Sequence, residues 1–344
     1  MKKSLLALAA LTAFAGAASA QSSVTLFGIV DLALRNQDNG AGSQQSLASA
    51  GINTSRLGFR GVEDLGGGLR AGFWLEGQLN PDNGTAQGQT WQRRSTVSLI
   101  GGFGEIRLGR DYKPTFWNTT TFDPFGTNGV GSENNVLPTL GNAPYYNLVR
   151  ADNTVGYFLP SLGGVYGQLQ VAAGEGSTQK YYGGRIGYAA GPVNVAASYG
   201  RNAKNSGSAA NRPLDDYDVW NVGGSFNAGF ATFALLYNKH EYGNYDLKSY
   251  MAAATVPFGA SSLKFSYNHS NIGVGAVNAI QNRTAKQYAI GYQYDLSKRT
   301  AVYATYAQLK NDTGLRLTTS TDAPISANSG FNSKGYEFGM RHSF

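Results

Sequence analysis

The chain has 344 residues, 28 Lys and Arg against 21 Asp and Glu, and no cysteine, so a disulfide scaffold and a Cys-ligated zinc site are excluded. Its 46 glycines follow no collagen period, and 12 % aromatic against 14 % charged residues is the wrong balance for a disordered chain. A mean hydropathy of −0.28 excludes a bundle of membrane-spanning helices but not a membrane barrel, whose strands are apolar on one face only. The net charge of +7, with no basic run, does not point to nucleic acid.

Residues 1–20 read as a cleaved signal peptide. Lys2 and Lys3 form the basic start, Leu5 to Phe14 the apolar run, and Ala18-Ser19-Ala20 the small-x-small cleavage pattern. The remainder, 21–344, reads as one domain exported through the inner membrane.

Beyond the cleavage point the recurring signal is period-two alternation, with no long apolar helix pattern. It predicts strands over 23–35, 51–63, 68–80, 91–101, 104–112, 151–159, 164–174, 179–190, 192–202, 215–227, 229–241, 246–257, 261–271, 283–295, 299–310 and 331–344. Short Gly-rich turns such as Gly66-Gly67-Gly68 alternate with long polar connections at 36–50, 201–214 and 311–330. Sixteen strands, short turns on one rim and long loops on the other, define an all-β, antiparallel transmembrane β-barrel. The strands have the length of a tilted membrane crossing and exceed the usual soluble strand of about five or six residues. Trp74, Trp91, Tyr145, Tyr146, Tyr181, Tyr182, Tyr242 and Tyr245 sit near strand ends, as interface girdles require. On Tyr288, Ile290, Tyr292 and Tyr294 the alternation predicts a face toward lipid.

Residues 113–149 break the pattern: they contain no strand, are rich in aromatics, and carry charge only at Lys113, Asp123 and Glu133. Such a loop is expected to fold into the barrel and narrow it, its aromatics against the wall and Asp123 and Glu133 facing the water. Basic residues meet it on the wall. Arg56 and Arg60, four apart in one strand, point the same way. Arg93 and Arg94 are consecutive, so strand geometry allows only one inward. Arg110 closes the strand entering the loop and Arg150 opens the strand leaving it. Guanidinium groups around a narrow aqueous passage concentrate anions and repel cations. Arg70, Arg201, Arg212 and Arg316 read as ordinary rim or loop charges.

Several segments resemble the trimeric general porins of Gram-negative outer membranes, in particular the β-proteobacterial, anion-selective kind. They are Ser23 to Asp31, Thr54-Ser55-Arg56-Leu57-Gly58-Phe59-Arg60-Gly61, Arg93 to Leu99, Leu108-Gly109-Arg110 and the terminal Gly339 to Phe344. The resemblance implies a sixteen-stranded barrel, a homotrimer, a third loop folded inward, and a basic wall cluster to which Arg56, Arg93 and Arg150 correspond by motif position. It also implies contact with outer-membrane lipid and lipopolysaccharide, and a C-terminal Phe344 read by the barrel-assembly machinery. Asp123-Pro124-Phe125-Gly126 is similar to the family's loop tip but lacks its Glu, leaving Asp123 or Glu133 as acidic substitutes.

An enzyme is not expected. His240, His269 and His342 are scattered, no nucleophile elbow or His-Glu-x-x-His occurs, and the acidic run 214–218 reads as a plain rim loop. No cofactor or metal is implied. The sequence therefore reads as a passive channel for small hydrophilic solutes with anion preference. A channel specific for one organic anion is the alternative, and a barrel hydrolase or adhesin a more remote one.

Overall fold

The computed structural model describes residues 23–85, 90–137, 147–175, 180–204, 215–274 and 282–344. The signal segment 1–20, Tyr145, Tyr146 and Arg212 lie outside them. The strands are β1 (Ser23–Asp38), β2 (Ser43–Ser49), β3 (Arg56–Gly66), β4 (Leu69–Gln78), β5 (Arg94–Gly101), β6 (Gly104–Tyr112), β7 (Arg150–Phe158) and β8 (Val165–Ala172). They continue as β9 (Tyr181–Ala190), β10 (Val193–Asn202), β11 (Tyr217–Asn227), β12 (Thr232–Tyr242), β13 (Tyr245–Phe258), β14 (Ser261–Val274), β15 (Arg283–Asp295), β16 (Thr300–Asn311) and β17 (Asn332–Ser343).

From β3 onward each strand pairs antiparallel with the next, and β17 returns to β1. The lower part of β1, residues 23–29, pairs with β3, and its upper part, 32–38, pairs with β2. β2 and β3 are thus two pieces of one stave, and the seventeen segments make a closed barrel of sixteen. Phe344 locks the seam by exchanging backbone hydrogen bonds with Gly28, at 3.0 and 3.1 Å.

The interruption at 50–55 corrects the expected connection at 36–50 and the expected strand at 51–63. Here the chain is strand to Ser49 and then leaves the ladder, with Ala50 at φ 67°. Asp31 is the cause. Its carboxylate accepts the backbone N–H of Gly51, Ile52 and Asn53 at 3.3, 3.0 and 2.7 Å and the hydroxyl of Tyr303. Donors that the neighbouring strand would otherwise satisfy are taken by one buried side chain.

The wall is apolar outside. Tyr288 and Ile290 are 47 % and 44 % exposed, whereas the alternate Gln287 and Ala289 are 0 % and 7 %. Leu235 and Phe338 face out in the same way, with Asn238 and Glu337 buried on the other face. A soluble sandwich would do the reverse; this polarity is that of a wall between lipid and a polar interior. Three expected girdle residues belong to the interior instead. Trp74 donates Nε1–H to Glu76 at 3.1 Å, Tyr181 is buried, and Tyr242 is buried against Tyr217 with ring centroids 5.8 Å apart. Tyr181 and Tyr242 do lie at strand ends, whereas Trp74 is in the middle of β4; register decides the face, and theirs is the inner one.

The segment after β6 is not without structure. It begins with α1 (Pro114–Phe122), and a single 3-10 turn follows at Glu133–Val136. Pro114 suits the first helical turn, where its missing N–H costs nothing. Thr- and Asn-rich residues with weak helix propensity hide the rest from periodicity. α1 lies against the polar face of β10 to β12: Asn118 Nδ2 donates to Asn221 Oδ1 at 2.8 Å, and Asn221 Nδ2 to the Thr115 carbonyl at 3.0 Å. Phe122, 2 % exposed, seats on Gly223, where any Cβ would collide with its ring.

Candidate functional site

Three of the sequence-selected arginines meet at one place on the inner wall. Arg93 donates Nε–H to Glu76 Oε1 at 2.5 Å and an Nη2–H to the Tyr112 hydroxyl at 2.6 Å. Arg150 donates to the same hydroxyl at 2.9 Å and to the Arg93 carbonyl at 2.8 Å, with its guanidinium 4.4 Å from the Tyr112 ring centroid. Arg56 Nη1 stands 3.4 Å from Glu76 Oε1, and its Nε donates to the Thr54 carbonyl. Three guanidiniums thus share one carboxylate and one phenol, leaving fixed positive charge in excess.

Backbone detail makes this convergence possible. Gly109, at φ +125°, sits where the β6–β7 register slips; the extra residue lies on β7, with Asn153 at φ 56°, and a Cβ on Gly109 would strike the Ser95 carbonyl. Asp111 and Tyr112, consecutive in sequence, are both buried, Tyr112 at the last position of β6, where the chain leaves the pleat. Tyr112 has no counterpart in the sequence reading. An aromatic beside a strand end looks like a girdle residue, and only its bonds to Arg93 and Arg150 reveal that it turns in.

The expectation that only one of Arg93 and Arg94 points inward fails because Arg93 precedes β5 and is free of its pleat. Arg94, in register with Glu76, also faces in, its Nε donating to Thr96 Oγ1 at 3.0 Å and its guanidinium 4.6 Å from the Trp74 ring centroid. Arg60 shares the Arg56 face, four residues further along β3, over the rings of Phe27 and Trp74. Arg110 does not join them. It is in register with Ser95 on the outward set, ion-paired to Asp152 and donating to the Gln92 carbonyl.

Asp123 and Glu133 do not face water. Asp123, 5 % exposed, accepts the backbone N–H of Phe125, Thr127 and Glu133 at 3.0, 2.9 and 3.1 Å. Glu133, 1 % exposed, accepts from Asn238 Nδ2 and Ser249 Oγ, both at 2.9 Å. They organise the loop and fasten it to β12 and β13. Burial pushes the Glu133 carboxyl up to about 8, helped by the Asp123 charge, and raises Asp123 as well. Lys113, at the loop's start, is buried over the Tyr181 ring and bonded to Asn202 and the Asn147 carbonyl; burial lowers it to about 7.

Two further interior charges carry no signal in a strand-by-strand reading. Arg35 bridges Glu337 and Asp322, each at 2.8 Å, tying the 312–331 segment into the mouth. Arg185 donates to Asn118 of α1 at 2.9 Å and to Thr121 at 3.0 Å. Across the barrel's outer rim Arg201 pairs with Asp216 and Asp218, which accounts for the acidic run.

A closed sixteen-stave barrel with an apolar exterior and a charged interior is a membrane channel. Residues 7–314 match the Gram-negative porin family, and the chain belongs to it. It is 38 % identical to outer membrane porin protein 32 of Delftia acidovorans, over all of both chains. It is 31 % identical to an outer membrane porin protein of Bordetella pertussis, over 90 % of this chain and 95 % of that one. Among solved structures, an anion-selective porin from Comamonas acidovorans superposes with a TM-score of 0.81 at 36 % identity, covering 94 % of this chain and all of the other. The protein is an outer-membrane porin, a passive channel and not an enzyme.

Proposed function

We propose that this porin passes small hydrophilic solutes with a preference for anions, set by Arg56, Arg93 and Arg150. Loop 113–149 serves as the constriction opposite them. The observation that carries this is the shared Tyr112–Glu76 seat, where three guanidiniums face a single carboxylate. With Asp123 and Glu133 buried in the loop's own packing, the loop brings no free carboxylate to offset that charge. The anion-selective relative at 36 % identity favours the same reading. The mature protein begins after Ala20, assembles as a homotrimer, and presents Phe344 to the barrel-assembly machinery. Lipopolysaccharide and other outer-membrane lipids contact its apolar exterior.

The test is the zero-current potential in a potassium chloride gradient. At about 4 Å in water a unit charge is worth ~1 kcal/mol, or about fivefold in local ion concentration. Arg93→Ser with Arg150→Ser removes two such charges and leaves Glu76 without its closest partner. The double variant is expected to stay open and move toward potassium by about tenfold or more in permeability ratio. Unchanged selectivity would show that other arginines govern it.

A further inference from the structure

Below the arginine cluster the inner wall holds a recess of about 400 Å³, formed where β3, β4, β5 and β6 bring Arg60, Trp74, Arg94 and Ile100 together. Arg60 is four residues from Arg56 on the same face, so it stands about 13 Å nearer the short-turn rim at ~3.3 Å per residue. Its guanidinium lies 5.3 Å from the Phe27 ring centroid and 5.2 Å from that of Trp74. Among the described residues no carboxylate lies within ion-pair distance of Arg60, and none of its N–H groups has a hydrogen-bond acceptor. Arg94 stacks on Trp74 at 4.6 Å and engages only Nε, on Thr96, with the Asp111 carboxylate 3.9 Å away. Two guanidiniums are therefore held by aromatic faces, which fixes their planes and leaves their N–H edges free.

We propose that this recess is a second anion station, which takes organic monocarboxylates with an apolar or aromatic body. The proposal rests on the reading that the channel carries anions. Two features select the ligand class. Val62, Gly72 and Ile100 line the recess beside the arginines, and an apolar wall gives a hydrated inorganic anion nothing while it desolvates a hydrocarbon ring. Glu105 and Arg107 also border it, but Arg107 is engaged by both Glu105 oxygens and by Asp111, so the recess offers a second carboxylate no free donor. A carboxylate leaving Arg93 and Arg150 then finds a second fork of donors along the exit path, with its body against the wall.

Benzoate is the probe, acetate and phthalate the comparators, each titrated against chloride current in planar bilayers. Wild type is expected to be half-blocked by benzoate at about tenfold lower concentration than by acetate, the difference being the buried ring. Phthalate, with two charges, should block less well than benzoate. Arg60→Gln and Arg94→Gln should each abolish the benzoate-over-acetate ratio. Arg93→Ser with Arg150→Ser should shift the zero-current potential and keep that ratio. If Arg60→Gln yields no conducting channels, Arg60→Lys reads the same ratio, which should fall because an ammonium lacks the planar fork. Benzoate no better than acetate in wild type, or the ratio surviving in the Arg60 and Arg94 variants, overturns the recess. A wild type with no preference for chloride over potassium overturns the anion-channel reading instead.

Discussion

Asp31 organises three segments from one position on β1. It closes the backbone of 51–53, receives the Tyr303 hydroxyl from β16, and holds its own N–H to Ser55 Oγ at 2.9 Å. Replacing it with Ala leaves three N–H groups without their acceptor, at ~1–3 kcal/mol for each that stays buried. Asp31→Ala should therefore lower the unfolding temperature in detergent by several degrees, followed by loss of β circular dichroism; an unchanged melting temperature would mean water replaces the carboxylate at no cost.

The loop's ionisable residues give opposite pH dependences. Glu133, raised from 4.5 to about 8, holds its proton in the docked loop, so docking weakens as pH rises from about 4.5 toward 8. Asp123 acts in the same direction, its burial only partly offset by its backbone hydrogen bonds and the Lys264 charge. Lys113, lowered from 10.5 to about 7, sheds its proton in the docked loop, so docking strengthens from about 7 toward 10.5. Loop protection, read by limited proteolysis between pH 5 and 10, should pass through a minimum near 7–8. Glu133→Gln should flatten the acid side only; an unaltered acid side would contradict the assignment. The acidic residues themselves were legible from sequence as the loop's only carboxylates. Their burial was not, because it depends on Asn238 and Ser249, more than a hundred residues away.

At the level of elements, α1 is the part that periodicity could not find. Thr115, Asn118 and Thr119 are polar residues used as packing residues, because the wall they meet is polar too. Strand extents fare better: β15 coincides with the expected 283–295, since its outward face is aromatic and aliphatic from Tyr288 to Tyr294. The break between β2 and β3 escapes notice for the reason α1 does, as the partner that causes it is distant in sequence. Phe122 tests the docking of this element. Truncation to Ala empties a buried site of the kind that costs ~3–5 kcal/mol, enough to release so short a helix. Phe122→Ala should raise single-channel conductance and its noise; a quiet current of wild-type size would show that the helix is held without that ring.

For the whole molecule, the governing fact is that the apolar residues lie outside. An arginine in place of Leu235, 66 % exposed between Phe233 and Tyr237, should destabilise the inserted barrel by ~2–4 kcal/mol near the bilayer centre. Urea unfolding from liposomes measures it, and a change under about 1 kcal/mol would place Leu235 away from the hydrocarbon. The alternation that predicts this needs only one strand at a time, which is why barrel and polarity were readable. The arginine cluster is readable in part, since strand parity places Arg56 and Arg60 inward and Arg110 outward, while Tyr112 turns in only through its contacts at the end of β6.

The chain contains no cysteine, so single-cysteine spin labels can read the wall's orientation without background. Labels at Leu169, Ile186 and Leu235 should collide more often with oxygen dissolved in the bilayer than with a water-soluble nickel chelate. Labels at Thr25, Arg60 and Arg185 should show the reverse. The opposite pattern, or one indifferent to strand parity, would contradict the account from the wall inward.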